Sequence, residues 1–377
     1  MDILTVSLGR NILKSGSRER IRMEGYAEYV NTLHIIVLTR KHHGFRTEEH
    51  EKNLHLYPTN SSSRFMMLID AFFIGKKIIR EMDSSSVVIS AQDPLEIGWF
   101  CWLLARVTQT RLHIQVHGDY FSSNAWVHGS PLRYIRRFFA RILLQRVSAV
   151  RVVSERIKKS LVQSGVANER ITVLPIRPEL EAFLQMKHDN TPPETCTFLY
   201  VGRLAEEKDI FRILKSFKML YAKYPAIRLR LVGDGEKKAD VLDFIQREHL
   251  NAVVTLTPWT EDVPACMAKA DVFLLASKHE AYALTLIEAM AVGLPIVTTD
   301  VGCVGEILKD DEQGVVVKEK SVASYTWGME RMITDSAFRK QCGEAGKRTA
   351  QKIAETSFSD YAHSWAKSIG MSVPREV

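Results

Sequence analysis

The sequence predicts an α/β protein made of two doubly wound parallel sheets in tandem. Three observations carry that expectation. Short β-rich runs alternate with amphipathic helical stretches along most of the chain, as in a parallel sheet covered by helices on both faces. The alternation breaks once, across the polar, proline-containing RPELEAFLQMKHDNTPPETC, and then restarts. A length of 377 residues is large for one hydrophobic core and ordinary for two.

In the first half the strand candidates are ILTVSL, LHIIVLT, NLHLYP, SVVIS, LHIQVHG, AVRVVS and ITVLP. Helical patterns separate the later ones: RFMMLIDAFFIGKKIIREM, PLEIGWFCWLLARV, PLRYIRRFFARILLQRV and SERIKKSLVQSG. After the break come CTFLYVG, IRLRLVG, VVTLT, DVFLLAS, PIVTT and GVVVK, again with helical segments between them. The expected organisation is a first domain over 1–176, a linker over 177–194, a second domain over 195–355 and a helical tail over 356–377, with the first domain as the tail's candidate partner. In open parallel sheets ligands bind beyond the carboxyl ends of the strands, so residues just after strands, facing a cleft between the two domains, are the ones to examine.

Composition narrows the class. Apolar residues make up 46% and charged residues 25%, a soluble globular profile. Five cysteines lie scattered without a CxxC pair, which suits free thiols in a reducing cytosol and argues against a zinc site or a disulfide framework. The opening MDILTVSLGR lacks the long apolar stretch of a secretion signal, and LEIGWFCWLLA is too short to span a bilayer. A cytoplasmic chain is therefore expected. Residues 1–175 hold 25 Lys and Arg against 15 Asp and Glu, a net of +10, whereas the remainder nets −3. The surplus suits an anionic partner, whether membrane face, phosphorylated lipid or nucleic acid, or else a plain solvated surface.

The second half carries the chemistry. After CTFLYV comes GRLAEEKDIF, where Gly202 permits a turn and Arg203 and Lys208 sit near the next helix start. Arginine offers a fork, lysine a point charge and the helix its backbone donors, together a site for a diphosphate. After IRLRLV, Gly233 and Gly235 suit a turn that brings backbone close to a ligand, although a plain strand-to-helix turn would read the same. In DVFLLASKHEAYALTLIEAMAVGLPIVTTDVG a loop carries Glu280, a helix begins near Leu284 and Glu288 lies about one turn inside it. The amides of Ala283 and Leu284 could seat a phosphate, Glu288 ribose hydroxyls and Glu280 sugar hydroxyls, since a carboxylate accepts paired hydroxyl donors well. A dipole-complementing acid would explain Glu280, but a solvated face does not explain one acid within LTLIEAMA.

The order GRLxxxK, GDG, ADVFLLAS, ExxxxxxxE and EAMAxGLPIVTTDVG, over about residues 196–316, resembles the retaining nucleotide-sugar glycosyltransferases of family 4, with the GT-B fold of two Rossmann-like domains. AQDPLEIG, HIQVHGDYF and AVRVVSERIKKSL in the first half resemble that family's acceptor-side domain. The resemblance implies that Arg203 and Lys208 neutralise the donor diphosphate, Glu280 orients the donor sugar, Glu288 holds the ribose and His117 lies against the reacting centre. It also implies metal-independent cleavage and no cofactor besides the nucleotide-diphosphate sugar itself. The chain departs from the pattern at Ala281 and Ala283, where glycine is frequent, and at Pro258 and Trp259; Trp259 could flank a base or pack at the rim. The glycine-rich loop after the first strand is reduced to LGRNILKSGSRER, leaving Gly9 and Gly16 as cleft candidates.

PLRYIRRFFARILLQRV places Arg133, Arg136, Arg137 and Arg141 largely on one helical stripe, followed by Arg146, with Tyr134, Phe138, Leu143 and Leu144 as apolar surface. Such a helix suits anionic headgroups at the inner face of the cell membrane, and a core helix with a solvated arginine face is the competing reading. The aromatic-rich motifs of common RNA-binding modules are missing. The expected activity is transfer of a sugar from a nucleotide-diphosphate donor to a lipid-linked or surface-polysaccharide acceptor. The alternatives are a nucleotide-sugar epimerase on the same scaffold and a non-catalytic membrane-associated module.

Overall fold

The computed structural model describes residues 1–46, 48–121, 126–127, 130–187 and 195–370. The chain divides into two units, Met1–Pro175 with Ser357–Val377, and Ile176–Thr356.

The first unit begins with β1 (Asp2–Ser7), α1 (Arg18–Ala27), β2 (Thr32–Val37), β3 (Glu49–Glu51), β4 (Leu54–Pro58) and α2 (Arg64–Arg80). It continues through β5 (Val87–Ala91), α3 (Glu96–Thr108), β6 (Arg111–Val116), α4 (Pro131–Leu144), β7 (Ala149–Val152), α5 (Glu155–Gln163) and β8 (Ile171–Val173). These strands form one eight-stranded sheet in the order β3-β4-β2-β1-β5-β6-β7-β8. All pairings are parallel except β3 with β4. The sequence reading did not anticipate β3: its three residues, Glu-His-Glu, are polar and carry no β signature, as suits a short edge strand. Serine side chains cap several helices, Ser17 receiving the Arg20 amide and Ser154 that of Ile157.

The second unit contains α6 (Glu181–Leu184), β9 (Thr197–Val201), α7 (Ile210–Tyr221), β10 (Arg228–Val232), α8 (Lys238–Arg247), β11 (Val254–Thr257) and α9 (Val263–Ala268). Then follow β12 (Val272–Leu275), α10 (Leu284–Val292), β13 (Ile296–Thr299), β14 (Gly314–Val317), α11 (Val322–Thr334) and α12 (Ser336–Ala354). Its six strands are all parallel, in the order β11-β10-β9-β12-β13-β14. The chain thus runs outward from β9 in one direction, then restarts at β12 on its other side, so the switch point lies between these two strands. Buried Phe198, Tyr200, Phe217, Leu231 and Leu274 form the core beside it. The stretch expected as a linker holds α6, whose Phe183 is buried, so its first part has the apolar spacing of a helical turn. Residues 188–194 lie outside the described set.

The helix α13 (Phe358–Gly370) returns to the first unit. Tyr361, Trp365 and Ile369 enter that unit's core, and Trp365 stacks on Tyr26 with ring centroids 4.6 Å apart. Arg151, itself buried, donates to Tyr361 Oη at 2.7 Å and to Gln115 Oε1 at 2.6 Å, and Tyr361 Oη donates to the Pro175 carbonyl at 2.9 Å.

Candidate active site

The loops that follow β9, β10 and β12 meet at the switch point of the second unit. After β9, the buried Tyr200 sends its hydroxyl to the Arg203 carbonyl at 2.8 Å and so fixes the turn at Gly202. A Cβ on Gly202 would stand 2.8 Å from that hydroxyl. The Gly233–Gly235 loop lies directly on this turn, with the Leu204 amide donating to the Asp234 carbonyl at 2.8 Å. Gly233 and Gly235 have φ of 152° and 155°, and Cβ atoms there would come within 1.9 Å of the Gly202 carbonyl oxygen and 2.3 Å of that of Leu204. The sequence left two readings of these glycines, close approach of a ligand and a plain strand-to-helix turn. In the structure they let two loops of the unit touch.

After β12 the loop from Ser277 to Ala283 carries the predicted acid. Glu280 Oε1 accepts from Lys208 Nζ at 2.5 Å and from Ser277 Oγ at 2.7 Å. Two residues 72 positions apart, assigned from sequence to the diphosphate and the sugar, are therefore in direct contact. The loop is braced from the next crossover. Thr299 Oγ1 donates to the Ser277 carbonyl at 2.7 Å, the Cys303 amide to that of buried Tyr282 at 2.9 Å, and Gly302 leaves no room for a Cβ beside Tyr282. Ala283, the residue before α10, takes a left-handed conformation with φ 64° and ψ 63° and provides no side-chain cap. The leading amides of α10 are thus left without the serine or aspartate that closes α1, α2, α5, α9, α11 and α12. Uncapped amides and the helix dipole favour an anion at this end.

Glu288 sits in the second turn of α10 and is mostly buried. Burial pushes its carboxyl up to about 7, and among the described residues it has no hydrogen-bond partner. Arg203, on the exposed side of the β9 turn, pairs with Glu207. Lys278 pairs with Glu206, and its amide donates to the Glu207 carbonyl at 2.8 Å. The cations predicted for a diphosphate are thus held on carboxylates here, so an incoming anion competes with Glu207 and Glu280.

His117 belongs to the first unit and follows β6. Burial first, then the charges of Arg151 and Arg22, depress its imidazolium to about 4, so the ring is neutral at pH 7. Gly9 precedes a short 3-10 turn and donates its amide to Ser7 Oγ at 3.0 Å; Gly16 adopts φ 75° in open space. Trp259 is exposed after β11.

On α4, Leu143 and Leu144 are fully buried, which corrects their expected place on the apolar surface; Leu143 packs against α3 at Gly98. Leu132, Ile135 and Phe139 are exposed in their stead, beside Tyr134 and Phe138. The arginines are partly engaged. Arg136 pairs with Glu96, Arg141 donates to the Ser164 carbonyl at 2.7 Å, Arg133 to that of Trp126 at 3.1 Å, and Arg137 lies over the Tyr134 ring at 5.5 Å.

Sequence reasoning missed Tyr200, Ser277 and Thr299. Tyr200 left a faint trace as a phenol within the apolar run FLYV, whereas the two short hydroxyls are invisible without the loop's shape.

Two family models match the chain, "Glycosyl transferases group 1" over residues 183–349 and "Glycosyl transferase 4-like domain" over residues 26–177. The chain belongs to the glycosyltransferases, and both its units have the parallel-sheet architecture of GT-B members of that group. It is similar to the capsular polysaccharide biosynthesis glycosyltransferase CapM of Staphylococcus aureus, 24% identical over 245 residues, which span 60% of this chain and 64% of that one. Less than two thirds of that relative is therefore covered. In fold it is similar to a sucrose-phosphate synthase from Thermosynechococcus elongatus, with TM-score 0.75, 18% identity and coverage of 97% and 98% of the two chains. It is likewise similar to HepE from Anabaena, solved with UDP and glucose, with TM-score 0.74, 15% identity and coverage of 98% and 99%.

Proposed function

We propose that the protein transfers a sugar, with retention of anomeric configuration, from a nucleotide-diphosphate sugar to a hydroxyl of a lipid-linked or cell-surface polysaccharide precursor. The observation that carries this reading is the Lys208–Glu280 pair beside the uncapped end of α10, at the switch point between β9 and β12. A cation next to a helix N-terminus that no side chain caps suits a diphosphate, and an acid next to that suits a hydroxyl-rich ring. Relatives named for capsular and lipopolysaccharide synthesis support the acceptor class.

In this reading Lys208, Arg203 and the α10 amides take up the charge that develops on the leaving diphosphate, the principal electrostatic task of the reaction. Glu280 receives sugar hydroxyls and Glu288 ribose hydroxyls. No side chain is assigned as covalent nucleophile. As the bond from the anomeric carbon to the phosphate oxygen breaks, the acceptor oxygen bonds to the same face, and its proton passes to the leaving diphosphate. His117, neutral at pH 7, hydrogen-bonds the reacting sugar without adding charge. We assign no metal to the reaction, so turnover should survive chelation by EDTA. The arginines of α4 are proposed to meet an anionic membrane at the cell's inner face.

The test is a donor panel. Nucleotide sugars are ranked by thermal shift, since a ligand selective for the folded state raises apparent stability. The selected donor is then supplied with a lipid-linked glycan, and the product anomer is read by NMR. Retention in the new linkage supports the reading. An inverted linkage, or conversion of the donor alone to another sugar, overturns it.

A further inference from the structure

Seventeen large hydrophobic side chains are exposed among the described residues, and ten of them lie on α2, α3 and α4. These are Phe65, Leu68 and Phe73 on α2, Leu103 and Val107 on α3, and the five of α4 already named. Soluble proteins seldom gather so much apolar surface without an occupant. The three helices adjoin. Trp99 of α3 meets Phe139 of α4 edge-on at 6.0 Å, and two open grooves run along α3, one of about 410 Å³ beside α4 and one of about 460 Å³ beside α2. Trp99 lines both, and among the described residues its indole N–H has no acceptor.

Charge selects the occupant. The same helices carry nine arginines and lysines against Asp70 and Glu96, a net of +7 that equals the formal charge of the whole chain. Glu96, the carboxylate bordering both grooves, is ion-paired with Arg136. An apolar protein partner would not call for this rim, and a nucleic acid would not call for the phenylalanines. An anionic lipid leaflet calls for both.

We propose that α2, α3 and α4 form one membrane-insertion face, in which lipid hydrocarbon chains fill the grooves beside Trp99 while Arg64, Lys76, Lys77, Arg80, Arg133 and Arg137 meet headgroup phosphates. This deepens the membrane contact suggested above, from a basic helix resting on headgroups to three helices whose apolar side chains enter the leaflet.

The experiment titrates the full chain with vesicles of equimolar phosphatidylcholine and phosphatidylglycerol, using lipids brominated on the acyl chain as contact quenchers. Tryptophan fluorescence is expected to fall, and most of the fall to disappear in Trp99→Phe/Trp102→Phe. A triple variant at exposed positions, Phe73→Ser/Ile135→Ser/Phe138→Ser, is expected to lose about tenfold or more in vesicle affinity while keeping its donor-induced thermal shift. Vesicle binding without quenching would leave headgroup adhesion standing and overturn insertion. Undiminished affinity of the triple variant would overturn insertion as well. Absence of vesicle binding, with a dimer in sedimentation that the triple variant abolishes, would assign the face to a second copy of the chain instead.

Discussion

At the scale of single residues, the donor site turns on how few side chains hold its charge balance. Lys208 is the one predicted cation bonded directly to a predicted acid. Lys208→Ala should lower kcat/KM for the donor at least tenfold, about 1.4 kcal/mol or more, measured with enzyme shown to be folded. Glu288 gives a pH signature. Its folded-state carboxyl is raised to about 7 by burial, so its contribution to stability is complete below the unfolded value of about 4.5 and is lost as pH rises through about 7. Glu288→Gln should therefore raise Tm at pH 8 and change it little at pH 4. Donor affinity in the wild type should rise between pH 6 and 8 as the carboxylate forms, and that slope should flatten in the glutamine variant. His117, held near 4, should contribute no inflection to the rate between pH 5.5 and 8.

At the scale of elements, the site depends on loops fitted against loops. Gly235→Ala sets a methyl 2.3 Å from the Leu204 carbonyl oxygen at a φ of 155°, so it should cost about 1–3 kcal/mol in denaturant unfolding and weaken the donor site with it. Much of this level could be read in advance. Thirteen of the fourteen strands among the described residues coincide with the apolar runs recognised in the sequence, because buried parallel strands are written as nearly continuous aliphatic stretches. The missing one, β3, is held by its pairing to β4 rather than by its own polar residues. The stretch expected as a linker holds α6, one short apolar turn that prolines and charges further along masked. On α4 the stripe of arginines was legible, but which apolar face turns inward was not: the helix has apolar residues on both sides, and only the packing of the folded unit selects Leu143 and Leu144. At the site, Glu288 was legible as an acid within an apolar run, and Lys208 and Glu280 by their places in loops that follow strands. The bracing by Tyr200, Ser277 and Thr299 was not, since hydroxyls show their purpose only in a folded loop.

At the scale of the whole molecule, the chain leaves the first unit after Pro175 and comes back at Ser357, so α13 completes a core whose other buried members lie between Ile3 and Val88. Trp365→Ala, which empties the stack on Tyr26, should destabilise that unit by about 3–5 kcal/mol and lower its Tm, with little effect on nucleotide affinity. The central claim concerns the other unit, where a nucleoside diphosphate is held by Lys208 and the open end of α10. Calorimetric titration of the full chain and of Lys208→Ala with a series of nucleoside diphosphates tests it most directly. The account predicts that at least one binds the wild type and that the variant binds it about tenfold or more weakly. Equal affinity in the two proteins, or no binding by either, would contradict it.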